Sequence, residues 1–417
     1  MALGHDHILD ILSDFMSSDI RRTCAATAGL VLLASYFVAR KARLRQRHKS
    51  IPALGGSGFF QSYITSFRFL ANPAATIEEG YKKFGKGGVF CVPTPINWLV
   101  ALSPDQYLQE AKGPNGHLLS AEAANDDISS ADYLLNSEIF RFPYHMPIIR
   151  GPMIKNTEWL EEMRNEIIVT CEELIPISSE WKPIMVLPTI RTLITRSFHR
   201  IMFSDPELFL KIKKEAYAYL APKIEQRLKG DTINKQDDLF SLFVEAAEDK
   251  HRNVSSLFMR VLHMNSAVVH TTSETTYLIL MELAARQEYI QPLREEIETM
   301  VAKYGWSKTA LSSMEKLESF MMETMRVNSP SLLNGSRKAI ADYVLSNGIC
   351  IPKGSLVTVV EAARHKDEDI YPNAKQFDGY RFYNNDKETT KQGAQLPHQF
   401  TTISPHFIIF GIGPNAW

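Results

Sequence analysis

The 417-residue chain has few cysteines, almost no net charge and no internal repeat. Its four cysteines (24, 91, 171 and 350) are far apart and form no CxxC pair, so neither a zinc site nor a disulfide scaffold is indicated. Free thiols in a reducing compartment fit this pattern better. A net charge of −1 provides no general attraction for nucleic acid, and we find no nucleic-acid-binding motif. A composition that is 45% apolar instead favours a globular protein with a substantial core.

Long apolar runs are also scarce, with one exception near the start. Residues 23–39, TCAATAGLVLLASYFVA, contain no charged residue, and the basic run RKARLRQRHK follows at 40–49. As a helix this segment would rise about 25 Å, enough for a thin bilayer. A cleaved signal peptide or a core helix is the alternative, but neither needs a polybasic block after it. We therefore predict a transmembrane anchor with its basic side in the cytosol.

The anchor divides the chain into four parts. Residues 1–22 form an N-terminal tail, 23–39 the anchor, and 40–58 a basic stop-transfer segment with a hinge, IPALGGSG. Residues 59–417 form the remaining domain.

The pattern of that domain predicts a mainly α fold with a small β region. Apolar residues recur at helical spacing over most of 158–326. Short strand-like runs occur earlier, as VFCVP and NWLVAL, and LSNGICIPKGSLVTVV after residue 330 reads as paired strands. The predicted helical stretches are 158–175, 205–228, 237–249, 254–285, 288–303 and 311–326.

The longest helical stretch carries a polar interruption, AVVHTTSETTYLIL, at 267–280. Such hydroxyls can bond back to the carbonyl four residues earlier and loosen the helix. The interruption could hold water, an oxygen ligand or a proton path, or it could be a polar face satisfied internally.

Glu323 and Arg326, in ETMR, lie three residues apart on one predicted helix face with apolar neighbours. A pair on a buried face needs further partners, and Arg381 in FDGYRF could supply one. Arg337, His365, His145 and Arg150 are surface residues by default.

The final residues, HFIIFGIGPNAW, place Gly411 and Gly413 after an aromatic and aliphatic run. Glycines at this spacing allow a close approach to the backbone.

Taken in order, these motifs resemble a membrane-bound cytochrome P-450 of the fungal type, densely over 236–416 and more loosely over 20–200. The resemblance implies the cytochrome P-450 fold and a haem-thiolate monooxygenase. It implies that one oxygen atom from O₂ is inserted into a small apolar organic substrate, with terpenoid, alkaloid or aromatic secondary metabolites as the expected class.

The resemblance also implies roles for individual residues. Thr271 and His270 match the catalytic positions on the long helix. Glu323, Arg326 and Arg381 match a structural ion network. Cofactor-binding positions are matched by Phe410, Gly411, Gly413, Arg337 and His365, with His145 and Arg150 as further candidates for the haem carboxylates.

One position departs from the family pattern. A cysteine that ligates iron is expected four residues after Gly413, where this sequence has Trp417. Indole N–H is only a donor and cannot ligate iron. No metal ligand is therefore assigned. Two hypotheses follow: an incomplete sequence of a working monooxygenase, or an inactive, truncated membrane protein derived from one. A membrane-anchored helical scaffold without a cofactor is the third.

The implied partners are haem, a lipid bilayer and NADPH, whose electrons would arrive through a membrane-bound NADPH-cytochrome P-450 reductase. The expected location is the endoplasmic reticulum membrane, with a single span and a cytosolic body. No nucleic-acid partner is expected.

Overall fold

A computed structural model describes most of the chain. The described residues are 18–56, 58–85, 88–95, 97–129, 138–153, 155–204, 216–229, 238–383, 399–402 and 404–411.

Helices account for most of the described residues. In chain order they are α1 (Ser18–Arg47), α2 (Phe59–Ala71), α3 (Pro73–Phe84), α4 (Pro104–Lys112), α5 (Ala121–Ser129), α6 (Glu138–Arg141), α7 (His145–Ile148), α8 (Thr157–Leu174), α9 (Val186–Phe203), α10 (Ala216–Leu228), α11 (Leu239–Ala246), α12 (Val254–Ala285), α13 (Ile290–Tyr304), α14 (Lys308–Ser312), α15 (Glu315–Val327) and α16 (Ala362–His365).

Within the described part of the chain, seven strands form two small sheets. They are β1 (Val89–Pro93), β2 (Trp98–Leu102), β3 (Leu119–Ser120), β4 (Leu333–Ala339), β5 (Tyr343–Val344), β6 (Cys350–Ile351) and β7 (Leu356–Val360). The larger sheet has the order β1-β2-β7-β4-β3, and β5 pairs with β6. Within the larger sheet β2 and β7 run parallel, which joins strands from opposite ends of the chain. A register shift in β4 separates Asn334 from Arg337, where Gly335 has φ of +62°.

Capping residues explain where several helices begin. Asn253 precedes α12 and its side chain accepts a hydrogen bond from Ser256 N. Asn156 caps α8 in the same way, and Ser103 caps α4 ahead of a proline at the first helical position. Each cap satisfies a backbone N–H that has no partner within its helix.

The described residues form a core of four apolar clusters. The largest packs α8, α9, α11 and α12 together. A second lies on the larger sheet, and a fourth packs α3 against the same sheet. The third brings Met322 and Met325 of α15 against Tyr371, Phe382 and Phe407, with Leu278 and Ile409 beside them. This third cluster joins the long helix α12 to the segment before Gly411.

The predicted fold class is confirmed: the protein is mainly helical with small β-sheets. The two early strand predictions correspond to β1 and β2. The predicted run of paired strands contains β6 and β7, but β6 pairs with β5, which lies just before that run, and β7 pairs with β2 and β4. The sequence reading missed α9, and the predicted helix at 205–228 is described only from Ala216. The apolar N-terminal helix is longer than predicted. Its stretch Thr23–Arg47 is long and apolar enough to cross a membrane.

Candidate functional site

The Glu323 carboxylate lies at the centre of a buried ion network. Arg326 binds it through two parallel hydrogen bonds, Nε to Oε2 and Nη2 to Oε1, both 2.7 Å long. Arg381 Nε donates to Oε2 at 3.0 Å, and the backbone N–H of Asp378 donates to Oε1 at 3.0 Å. Glu323 and Arg326 are fully buried. Helical spacing brings the first two residues together, while the turn at 378–381 supplies the third.

Backbone carbonyls satisfy the remaining N–H groups of both arginines. Arg326 Nη1 donates to His365 O at 2.7 Å and to Ala374 O at 2.8 Å. Arg381 Nη1 and Nη2 donate to Pro372 O at 2.6 Å and to Gln376 O at 3.0 Å. A buried charge is tolerated only when its donors and acceptors are paired in this way. The network thereby fixes the irregular segment 372–381 on α15.

Arg337, on β4, is a buried cation that pairs with no carboxylate among the described residues. This residue is 8% exposed. Within the described part of the chain, Arg337 Nη1 donates a hydrogen bond to the carbonyl of the adjacent Ser336, at 2.9 Å. Its guanidinium lies 5.6 Å from the centre of the Tyr107 ring, whose hydroxyl is buried without a recorded partner. Burial lowers the pKa of Arg337. The default surface placement of this residue is therefore wrong, and the site suits an anionic group.

His365, at the end of α16, is also fully buried instead of lying on the surface. Its Nε2 is 3.3 Å from Ile408 N, and its Nδ1 is 3.3 Å from Ser329 Oγ. Burial, reinforced by Arg326 and Arg364, lowers the pKa of His365 to about 3, so the ring is neutral. Both nitrogens thus have protein partners, which favours a role within the protein over direct contact with a cofactor.

The polar interruption of α12 leaves the helix continuous. Thr271 Oγ1 donates to Ala267 O at 2.5 Å, and Thr276 Oγ1 donates to Thr272 O at 2.9 Å. His270 Nδ1 lies 3.4 Å from Glu274 Oε1, and the His270 side chain is 63% exposed. Thr271 and His270 are therefore accessible on one side of α12.

The segment that leads to the glycine turn is described as far as Gly411. Phe410 is half-buried with its ring 5.0 Å from the Phe400 ring. Gly411 is buried with φ of +88°, and its N–H donates to Ile408 O at 2.9 Å. A side chain at 411 would be strained in this conformation. Gly413 and Trp417 lie outside the described residues.

His145 is buried as well, so its default surface placement is wrong, whereas Arg150 is exposed. His145 Nδ1 lies 3.0 Å from Nη1 of Arg260, a fully buried residue on α12. The Arg260 guanidinium also lies 3.8 Å from the centre of the Tyr144 ring. This contact joins α7 to α12.

Two residues beside the site, Glu361 and Asn334, were not found from the sequence. Glu361 is fully buried after β7 and accepts hydrogen bonds from Ser329 Oγ at 2.5 Å and Asn334 Nδ2 at 2.6 Å. Burial raises the pKa of Glu361 to about 7, against the opposing effect of these two bonds. A glutamate directly after the apolar run LVTVV was the available signal, because an acidic residue there must be paired or neutralised.

Comparison with known proteins identifies the class of protein. The sequence profile described as Cytochrome P450 matches residues 159–416. Cytochrome P450 monooxygenase 71 of Postia placenta is 31% identical, over 93% of this chain and 86% of that protein. Cytochrome P450 monooxygenase CYP512U6 of Ganoderma lucidum is 26% identical, over 88% of this chain and 81% of that protein. The chain therefore belongs to the cytochrome P450 family, and these similarities indicate an oxidoreductase of the monooxygenase type.

Haem is the cofactor that this family implies, and its carboxylates fit the environment of Arg337. A buried guanidinium without a carboxylate partner among the described residues is suited to bind a propionate. The described cysteines offer no equivalent fit to iron. Cys91 is buried in β1, where burial raises its thiol pKa, and Cys350 lies in β6. No cluster of three or more potential metal ligands occurs among the described residues.

Removal of one partner from the ion network should prevent stable folding. Glu323→Ala leaves two arginines without their carboxylate, and Arg326→Ala leaves Glu323 with only Arg381 and one backbone donor. Breaking a buried pair in this way costs about 3–5 kcal/mol. We expect insoluble protein or a correspondingly lower free energy of unfolding in detergent. Lys82→Ala is the control, because it breaks an exposed pair with Glu78 and should change stability by less than about 1 kcal/mol. Soluble variants of wild-type stability would contradict the prediction.

Glu361 should make stability depend on pH. Its folded pKa, about 7, exceeds the ordinary value of 4.5, so the folded state retains a proton that the unfolded state has lost between these values. Stability should therefore fall as the pH rises through this window. Denaturant unfolding at pH 5 and pH 8 should show a smaller decrease for Glu361→Gln than for the wild type. The other titrating groups are common to both proteins, so equal decreases would disprove this assignment.

Proposed function

We propose that this protein is a haem-dependent monooxygenase that inserts one oxygen atom from O₂ into an apolar organic substrate. Membership of the cytochrome P450 family carries this proposal, and the buried, uncompensated Arg337 guanidinium supports it. When bound, haem would supply the oxygen-activating chemistry, while the protein would supply binding, orientation and control of protons.

Different residues of the chain would bind the haem, shape its surroundings and support the framework. Arg337 would hold a haem propionate by a charge-assisted hydrogen bond. Phe410, Gly411 and Gly413 would form the loop that approaches the iron side of the haem. Glu323, Arg326 and Arg381 would hold the framework beneath it. His365 enters this proposal only through the contacts that its ring makes within the protein.

The accessible side of α12 would face the substrate and oxygen. Thr271 has a hydroxyl that can exchange its bond to Ala267 O for one to a bound water. His270, whose Nδ1 lies beside Glu274 Oε1, could pass protons inward through its two ring nitrogens. These two residues are our proposed catalytic groups.

The substrate is expected to be a small apolar compound of fungal secondary metabolism, such as a terpenoid, alkaloid or aromatic. Resemblance to fungal members of the family supports this class. Electrons would come from NADPH through a membrane-bound cytochrome P-450 reductase.

A single-pass location in the endoplasmic reticulum membrane is proposed from α1 and α2. Residues 23–39 of α1, its uncharged part, are all exposed on the surface of the protein. On α2, Phe60, Ile64 and Phe67 recur at helical spacing and are 78%, 59% and 67% exposed. The hydroxyl residues of α2 are buried instead, so its apolar side faces outward.

Lys41 joins the two helices. Lys41 Nζ donates to Ser66 Oγ at 2.7 Å and to Ser62 O at 3.3 Å. This contact holds α2 beside the polar end of the apolar α1 stretch, where a bilayer surface would lie.

Arg337→Ala should weaken haem binding while leaving the protein folded. We expect haemin titration of the full chain in detergent to show stoichiometric binding by the wild type and at least tenfold weaker binding by the variant, because a propionate would lose its cation. Lys338→Ala is the matched control, since Lys338 pairs with Asp127 at the surface. Equal haem affinity in all three proteins would refute the role of Arg337. Absence of haem binding by the wild type would refute the proposed function.

Polar substitution of the apolar side of α2 should weaken its contact with lipid. In liposomes with the full chain, a spin label on a cysteine introduced at position 64 should be protected from a water-soluble relaxation agent. The protection should decrease when Phe60 and Phe67 are changed to serine. A label at exposed Glu122 on α5 serves as the reference. Equal accessibility at both positions would contradict contact of α2 with the bilayer.

A further inference from the structure

Side chains hold both backbone polar atoms of Ile408, two residues before Phe410. The Ile408 N–H lies 3.3 Å from His365 Nε2, and the Ile408 carbonyl accepts a hydrogen bond from Asn334 Nδ2 at 2.9 Å. The carbonyl of Ile409 also lies 3.1 Å from Asn334 Nδ2. Residues 408–411 lie outside the strands that the structure describes. These side-chain bonds therefore replace the strand pairing that would otherwise fix such a segment.

The two contacts on Ile408 are connected through Glu361. Glu361 Oε2 accepts from Asn334 Nδ2 at 2.6 Å, which forms the first connection. The second passes from Glu361 Oε1 to Ser329 Oγ at 2.5 Å, and from Ser329 Oγ to His365 Nδ1 at 3.3 Å. The five residues thus form a closed ring of hydrogen bonds.

Chemistry fixes the direction of each bond in this ring. Because the backbone N–H of Ile408 is a donor, His365 Nε2 must accept, and the neutral ring then carries its proton on Nδ1. Nδ1 donates to Ser329 Oγ, whose own hydrogen is then free for Glu361. Asn334 donates both to Glu361 and to the carbonyls of Ile408 and Ile409. When Glu361 is ionised, both of its oxygens accept, and every donor in the ring then has an acceptor.

We propose that Glu361, Asn334 and His365 form a clamp on Ile408 that positions residues 408–411, including Phe410 and Gly411, which the proposed function assigns to haem binding. They are positioning residues, since they act through the backbone of this segment. The relevance of the clamp to haem depends on the proposed function above. Its effect on the backbone is a property of the protein alone and can be tested without haem.

Hydrogen exchange of the haem-free full chain in detergent tests the clamp directly. Asn334→Ala removes the donor to both carbonyls, so the amides of Ile408 and Gly411 should exchange at least tenfold faster. Amides of α12 should keep their wild-type rates. Thr324→Val is the control, because it removes a buried hydroxyl whose bond, to Phe320 O, stays within α15. Unchanged exchange at 408 and 411 in Asn334→Ala would overturn the clamp.

Exchanging the amide and acidic side chains at positions 334 and 361 distinguishes an effect on the backbone of residues 408–411 from an effect on overall stability. Asn334→Asp places a second carboxylate against Glu361 and should destabilise the protein. Adding Glu361→Gln restores a donor–acceptor pair at this position, but residue 334 then has no side-chain N–H to donate to the carbonyls of Ile408 and Ile409. The double variant should regain thermal stability while the Gly411 amide still exchanges rapidly. If slow exchange returns together with stability, the proposal is wrong.

Haemin titration of the same variants tests the link to the cofactor. We expect Asn334→Ala and the double variant to bind haemin at least tenfold more weakly than the wild type, and Thr324→Val to match the wild type. Rapid exchange combined with wild-type haemin affinity would overturn the positioning role toward haem. Failure of the wild type to bind haemin would instead reject the proposed function, and the exchange data would still decide the clamp.

Discussion

Two guanidinium groups converge on the Glu323 carboxylate in a part of the protein that water does not reach. Removing such charges from water is costly, so the arrangement is stable only if the remaining N–H groups also find acceptors. Those acceptors are the carbonyls of Pro372, Ala374 and Gln376. The irregular segment after α16 is therefore ordered by the requirements of buried charge, without regular secondary structure of its own.

The same requirement extends to the neighbouring elements. Arg326 also binds the carbonyl of His365, which fixes the end of α16. Tyr371, beside the Arg326 guanidinium, donates its hydroxyl hydrogen to His406 O at 2.8 Å. The ion pair on α15 is in this way coupled to the position of the chain that precedes Phe410. The apolar cluster around Phe407 fills the space between α15 and this part of the chain.

Much of this fold could be predicted from the sequence because its causes are local. Apolar periodicity indicated α8, α12, α13 and α15, and turn residues indicated the strands around IPKG. The parallel pairing of β2 with β7 joins residues more than 250 positions apart, and no local pattern encodes it. The burial of Arg337, His145 and His365 was missed for the same reason, since each depends on partners from distant elements. The helix α9 was missed although its sequence is apolar on one side.

Within the candidate site, the sequence showed which residue types were present but not which atoms they would meet. Glu323 and Arg326 could be paired because helical spacing places them together. Asn334 lies in β4 beside a register shift, and Glu361 directly follows the adjacent strand β7; the shift helps decide which side chains face each other. His365 belongs to both hydrogen-bond networks. Its carbonyl accepts a hydrogen bond from Arg326, and its ring contacts the backbone of Ile408. A disturbance at Glu323 can therefore reach the segment before Gly411 through Arg326 and then through the carbonyl and ring of His365.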